Sequence, residues 1–265
     1  MHQPPRSRLS ASRLRAGLAA PWRHLEIVEE TGSTNADLVA RAAAGEDIDG
    51  VVLIAEHQSA GKGRMGRSWL ASPCAQIAMS VGVSAAGVPT AAWGWLPLAA
   101  GVAVIDAVRA ASGVEAALKW PNDVLAGDGK LAGILAEVAG QSIVLGIGLN
   151  VTLRGEEVGQ PGTTSLLELG VPVPDRTQVA SELLRALGER VAGWQAARGA
   201  DEWLGAQYRR VCVTIGMPVR ATLPGGGEVV GTATSVDEQG RLCIATGGDT
   251  IAVSAGDVVH LRPTV

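Results

Sequence analysis

Cysteine is scarce in this chain. Cys74, Cys212 and Cys243 are spread through 265 residues, too few and too far apart for a disulfide framework or a C-x-x-C zinc pair. Long apolar runs are missing as well. Residues 81–83 and 143–149 fall far short of a membrane span. The first twenty residues carry Arg6, Arg8, Arg13 and Arg15 but lead into no continuous apolar stretch of the kind a secretory signal needs. Positive charge is not in excess: the net charge is -4 at pH 7, which gives no overall basic surface for nucleic acid. His2, His24, His57 and His260 have no serine or cysteine motif beside them, so no nucleophile–histidine pair points to covalent catalysis. These absences predict a cytoplasmic chain with neither membrane nor nucleic acid as partner. The 47% apolar and 18% charged content suits a well-buried globular core.

Lysine is as rare as cysteine. Lys62, Lys119 and Lys130 stand against 19 arginines. A chain that uses arginine for its surface needs a separate reason for lysine, whose ammonium is a compact point charge able to meet one phosphate oxygen. All three lie in segments rich in Gly, Pro or Trp.

Along the chain, residues 1–20 read as a flexible basic tail. Residues 22–28 read as a strand, and Ser33, Thr34 and Asn35 are N-cap types opening a helix over 36–44 that Gly45 closes. Residues 51–55 and 76–83 are strand-like. An Ala-rich helix runs from Pro89 to about residue 111. Strands follow over 115–120, 123–126, 130–138 and 143–151, with Asp128-Gly129 as a hairpin turn. Residues 177–194 have helical apolar spacing. From residue 211 four short β-rich runs, at 213–222, 228–236, 241–245 and 250–253, alternate with Gly-rich turns, one of them Pro224-Gly225-Gly226-Gly227. That texture predicts a small antiparallel barrel. The expected organisation is a tail (1–20), an α+β catalytic domain (21–210) and a β domain (211–265).

Four segments carry candidate chemistry. Gly61-Lys62-Gly63-Arg64-Met65-Gly66-Arg67-Ser68-Trp69, with Gln58 ahead of it, combines glycines that allow close backbone approach with cations that can hold an anion; it is neither a Walker A loop nor G-x-G-x-x-G. By itself such a loop is more often a solvated turn than a phosphate site, and an isolated tryptophan such as Trp69 is usually a core residue. Lys119-Trp120-Pro121-Asn122-Asp123 is a sharp corner with polar groups at its tip. In Gly129-Lys130-Leu131-Ala132-Gly133-Ile134-Leu135-Ala136-Glu137, strand alternation predicts Lys130, Ala132, Ile134 and Ala136 on one face, with Ala132 and Gly133 leaving room for a ligand. Gly146-Ile147-Gly148-Leu149-Asn150 is a strand thinned by glycine, which costs stability unless something must approach closely. Lysines and glycine-thinned strands in one cleft would suit activation of a carboxylic acid by ATP, where cations cancel the repulsion between a carboxylate and the α-phosphate.

In this order, with Ser33-Thr34-Asn35 ahead of them, the segments resemble the bacterial biotin–protein ligase family over residue 25 to the C-terminus. The resemblance implies a central mixed β-sheet flanked by helices, of the class II synthetase type, with a small C-terminal SH3-like β-barrel. It implies synthesis of biotinyl-5'-AMP from biotin and ATP, with Mg²⁺ accompanying the nucleotide and no dedicated metal ligands. Biotin then passes to a lysine on the biotin carboxyl carrier protein or domain of an acyl-CoA or pyruvate carboxylase. By resemblance, Ser33, Thr34, Asn35, Gln58, Gly61, Lys62, Arg64, Lys130 and Gly133 meet biotin. Arg64, Arg67, Trp69, Lys119, Asn122, Lys130 and Asn150 meet ATP. The catalytic residues are Arg64, Lys119, Lys130 and Asp123, the last orienting the incoming amine or receiving its proton. Lys62 stands where the family usually has arginine, and Met65 where it often has a basic residue. Ser33 comes too early for the winged helix-turn-helix some members carry, so no DNA binding is expected. The chain is expected to be a monomer or weak homodimer. A lipoate or octanoate ligase on the same fold, and a non-catalytic biotin sensor, are the rival readings.

Overall fold

The computed structural model describes residues 6–159, 161–223, 226–254 and 257–260. In chain order it has α1 (Ala11–Ala16), β1 (His24–Thr31), α2 (Thr34–Ala43), β2 (Val51–Gln58), β3 (Gln76–Ser84), α3 (Trp95–Ser112), β4 (Ala117–Lys119), β5 (Asp123–Ala126), β6 (Gly129–Ala139), β7 (Ser142–Asn150), α4 (Gly155–Val158), α5 (Arg176–Ala197) and α6 (Glu202–Val211). The β-rich end follows with β8 (Pro218–Thr222), β9 (Glu228–Val236), β10 (Leu242–Thr246), β11 (Asp249–Val253) and β12 (Asp257–His260).

Seven strands form one mixed sheet in the order β1-β2-β3-β7-β6-β5-β4. Only the β1–β2 pair is parallel. The period-2 alternation of a strand decides what each face carries. On β7, Ile143, Leu145, Ile147 and Leu149 enter the main core, as do Ile77, Met79, Val81 and Val83 on β3. Helices α3 and α5 pack together over that face. Helix α3 is long and apolar enough to cross a membrane, but Leu96, Ala99, Ala103 and Val104 on it are fully buried in this core.

The opposite face therefore receives the alternate residues: Gln76, Ala78 and Ser80 from β3, and Val144, Gly146, Gly148 and Asn150 from β7. Helix α2 covers part of it, packing Leu38 with Ile48, Leu53 and Val144 in a second small core. Ser33 caps α2 as expected, its hydroxyl accepting from the Ala36 N–H. This leaves Ser33, Thr34 and Asn35 at the open part of the face.

Lys130 is where simple alternation fails. Val124 pairs with Ala132 but Leu125 pairs with Lys130, leaving Leu131 as an extra residue. This β-bulge shifts the phase by one. Leu131 and Ala132 both turn into the core, fully buried. Lys130 thus joins Asp123 and Gly133 on the open face, not Ala132 and Ile134 as expected.

Other expectations are corrected as well. The hairpin before β6 turns on Gly127 and Asp128, since Ala126 pairs with Gly129 and Gly127 takes the positive φ of 54°. The long apolar segment begins as a short 3₁₀ turn at Thr90–Ala92, and its α-helix starts only at Trp95. From Arg6 onward the N-terminal stretch is no loose tail. Leu9 and Leu14 are buried, and Glu56 Oε1 accepts from the Leu9 N–H at 2.6 Å. Glu56 is itself ion-paired with the buried Arg176 at 2.7 Å, which also donates to the Ser7 carbonyl at 3.0 Å. A buried ion pair is tolerated only when its remaining hydrogen-bonding groups are met, and here backbone groups from both β3 and the N-terminal segment meet them.

The β-rich end is a five-stranded antiparallel sheet, β11-β10-β9-β8-β12. It has one strand more than expected, because β12 returns to pair with β8. Of the predicted turn at 224–227, Pro224 and Gly225 lie outside the described residues. Residues 212–214, which lead into this sheet, run beside β4: Leu118 bridges Cys212, and Val213 N–H donates to the Leu118 carbonyl at 2.9 Å. The turn at 237–241 docks on the first unit, its Asp237 and Gly240 carbonyls accepting from the Trp95 and Trp120 indoles, both at 3.1 Å.

Candidate active site

The open face of the large sheet is the floor of a cleft of about 680 Å³. Every predicted site residue except Gly61 lines it: Ser33, Thr34, Asn35, Gln58, Lys62, Arg64, Arg67, Trp69, Lys119, Asn122, Asp123, Lys130, Gly133 and Asn150. Gly61 is buried at the neck of the loop, where a Cβ would collide with the Trp69 carbonyl.

The strand glycines leave room for protein side chains before any ligand. A Cβ on Gly148 would strike the Trp69 indole, and one on Gly133 would come within 2.8 Å of it. A Cβ on Gly146 would strike the Asn35 side chain. The indole therefore lies flat on the floor, half-buried, and is not part of the core. Its N–H donates to Gln76 Oε1 at 2.8 Å. Gln76 in turn donates to Asn150 Oδ1 at 2.8 Å. Asn150, buried, spends both amide hydrogens on the carbonyls of Thr164 and Lys130. With these bonds made, Asn150 shapes the floor from below.

At one end of the floor lies a polar cluster. Gln58 Oε1 accepts from the Thr34 N–H at 2.8 Å and lies 3.0 Å from its hydroxyl. Thr34 Oγ1 is 2.6 Å from Ser80 Oγ, and Ser80 donates to Asn35 Oδ1 at 2.6 Å. Asn35 donates to Glu137 at 2.8 Å. Sequence reasoning missed Ser80 and Gln76. The signal was present in β3, where Gln76, Ala78, Ser80 and Gly82 alternate with Ile77, Met79, Val81 and Val83, a polar or small face against an apolar one.

At the other end the cations gather. Lys130 Nζ is 2.6 Å from Asp123 Oδ1 and 5.2 Å from the Trp69 ring centroid. Arg64 donates to Asn122 Oδ1 at 3.3 Å. The corner itself is fixed by Asn122, which donates to the Ile134 carbonyl at 3.1 Å and accepts from the Ile134 N–H at its own carbonyl at 2.9 Å. The Gly-rich loop folds as a small lobe over this end. Gly63 N–H donates to the Arg67 carbonyl at 2.7 Å, and Lys62 bridges Ser68. Met65, exposed at its tip, holds a positive φ of 56°. Val258 and Val259 on β12 complete the wall, a contribution from the second unit that the sequence did not suggest. Among the described residues no three His, Cys, Asp or Glu side chains converge as a metal site.

Ser80 and Gly146 are paired across β3 and β7 at the polar end, and Asn150 lies beside Lys130 at the cationic end. Four residue steps of strand separate Gly146 from Asn150, about 13 Å at the usual rise. The floor thus has a hydrogen-bonding end, an aromatic middle and a cationic end.

Comparison with known proteins identifies the family. Residues 33–153 match the biotin/lipoate A/B protein ligase family, and residues 214–261 match the biotin protein ligase C-terminal domain. The chain is 58% identical over 263 residues to a biotin–[acetyl-CoA-carboxylase] ligase of Mycobacterium tuberculosis, covering 98% of this chain and 97% of that one. The fold is similar to the Aquifex aeolicus biotin protein ligase in complex with biotin and ATP (TM-score 0.78, 25% identity, 91% of this chain and 100% of that one). It is also similar to the Leishmania major biotin protein ligase in complex with biotinyl-5-AMP (TM-score 0.64, 25% identity, 89% and 100%).

Proposed function

The chain belongs to the biotin/lipoate A/B protein ligase family, and from that premise we infer how its cleft works as a biotin protein ligase. The enzyme joins biotin and ATP to give biotinyl-5'-AMP and pyrophosphate, then passes the biotin to a lysine of a carboxylase carrier. The observation that carries this reading is the two-ended floor. The polar cluster of Ser33, Thr34, Asn35 and Gln58 suits a ureido head group, which both donates and accepts hydrogen bonds. The aromatic middle suits a hydrocarbon chain, and the cations at the far end suit a carboxylate meeting a triphosphate.

In the first step a carboxylate oxygen of biotin attacks the α-phosphorus, and the bond to the bridging oxygen of pyrophosphate breaks. Two anions must approach, and negative charge builds on the phosphoryl oxygens. Lys130 sits where it can bridge the carboxylate and the α-phosphate, with Asp123 holding its ammonium in place. Lys119, Arg64 and Arg67 face the phosphates, and Trp69 and Asn122 frame the nucleotide. Lys62, exposed on the loop, adds charge at the entrance. In the second step a free carrier amine attacks the mixed-anhydride carbonyl, AMP leaves, and Asp123 takes the amine's proton. Magnesium would arrive with the nucleotide.

The test is biotin-dependent ATP–pyrophosphate exchange, followed by labelling of a biotin carboxyl carrier domain with biotin or lipoate offered. Exchange and labelling are expected with biotin, and Lys130→Ala is expected to lose about 10²-fold in exchange. Labelling by lipoate alone would overturn the substrate; biotin binding without pyrophosphate release would overturn the reaction.

A further inference from the structure

Trp120 sits in the middle of the cleft corner and is held by two bonds to the second unit and the link that leads to it. Its indole reaches Gly240, its flanking residues form the cleft corner, and its backbone N–H donates to Thr214 Oγ1 at 3.0 Å. Thr214 lies on the link between the two units and is completely buried. Its hydroxyl also lies 3.0 Å from Nε2 of His260 on β12. Because Thr214 Oγ1 already accepts from Trp120, its own hydrogen needs an acceptor. Among the described residues His260 Nε2 is the acceptor in reach, and only when that nitrogen carries no proton.

We propose that His260 is a positioning residue for Lys119: as a neutral imidazole carrying its proton on Nδ1 it completes the chain from Trp120 N–H through the Thr214 hydroxyl to Nε2, and this chain fixes the corner that presents Lys119 to ATP. The inference rests on the ligase reading of the same cleft and adds a control element supplied by the second unit. A protonated ring would present N–H to an oxygen already accepting from Trp120. The hydrogen of the fully buried Thr214 would then lose its acceptor, which costs more than a bond is worth when made. The surroundings act the same way. Burial, and then the charge of Lys119 on β4, hold the His260 pKa below the usual histidine range. Around His260, β8 presents Val219 as its strand partner, the link presents Thr214, and Lys119 is the charged group acting on it among the described residues.

The sign follows. The chain is intact above the ordinary imidazole pKa and is lost as pH falls through the lowered one. The experiment measures kcat and KM for ATP and for biotin in pyrophosphate exchange between pH 8 and pH 5.5, for wild type, His260→Gln, Thr214→Val and Thr214→Ser. A glutamine carbonyl can accept the Thr214 hydrogen without titrating. His260→Gln is expected to stay within about threefold of wild type at pH 8 and to lose about fivefold less of its kcat/KM for ATP on acidification. Thr214→Val is expected to raise KM for ATP about tenfold at every pH while KM for biotin stays within about twofold, and Thr214→Ser to restore it. An acid limb in His260→Gln equal to that of wild type would overturn the proposal, as would wild-type KM for ATP in Thr214→Val. If Thr214→Val does not fold, the Gln and Ser variants decide alone. Loss of exchange in wild type at pH 8 would instead count against the ligase reading itself.

Discussion

At the scale of single residues, the site depends on side chains that are missing. Gly133, Gly146 and Gly148 leave hollows into which Trp69 and Asn35 settle. Gly148→Ala should push the indole off the floor, break its bond to Gln76 and raise KM for both biotin and ATP about tenfold or more, since small misplacements of a binding surface are costly. Substrate kinetics alongside a urea melt would check this; wild-type KM values with an intact fold would refute it. The lysines were legible because they were so few, and the glycines because a strand rarely tolerates two. What filled the hollows was not legible, since Trp69 and Asn35 arrive from distant segments. Nor was the face of Lys130: an alternating pattern carries no mark of an extra residue, and Leu131 looks like any other apolar position in the run.

Among elements, the long periodic ones and the short β5 were readable, whereas α1, α6 and β12 were not. Helix α1 has six residues, two of them Arg13 and Arg15, too short for a periodic signal. Helix α6 has Glu202, Arg209 and Arg210, and β12 has only four residues. Each is held by tertiary contacts more than by its own propensity. Leu14 on α1 is 1% exposed, packed within the main core. Leu14→Ala should therefore cost about 2–5 kcal/mol in a urea unfolding curve. A change under about 0.5 kcal/mol, typical of exposed positions, would show that the N-terminal stretch is the loose tail its composition suggests.

For the whole molecule, the two units meet at the turn over residues 237–241. Asp237 shapes that turn, accepting from the N–H groups of Gln239 and Arg241 and pairing with the Arg241 guanidinium at 2.7 Å. Burial works to raise the carboxyl's pKa, but the bonds from the Arg241 side chain, the two backbone N–H groups and the Arg241 charge outweigh it. The net position is below the usual carboxylate range. A depressed carboxyl stabilises the fold above its unfolded pKa, and that contribution fades as pH drops through the folded value. Between about pH 5 and pH 3, wild type should lose more stability than Asp237→Asn, read as the shift in urea midpoint at each pH. Equal losses would mean the turn is not held by this carboxylate. The existence of a β-rich second unit was legible from its Gly-punctuated texture. That it supplies β12 to the cleft wall was not, because no local pattern reports which surfaces two units will share.

The tryptophans that grip this turn direct their N–H bonds to its peptide carbonyls and to none of its side chains. Sequence drift at Glu238 and Gln239 should therefore leave the junction intact. Trp95 and Trp120 have no such latitude, nor does Gly240, whose φ of 79° and closeness to Gly94 exclude a side chain. Among descendants of this chain, the loop's surface can vary while its anchor points stand still.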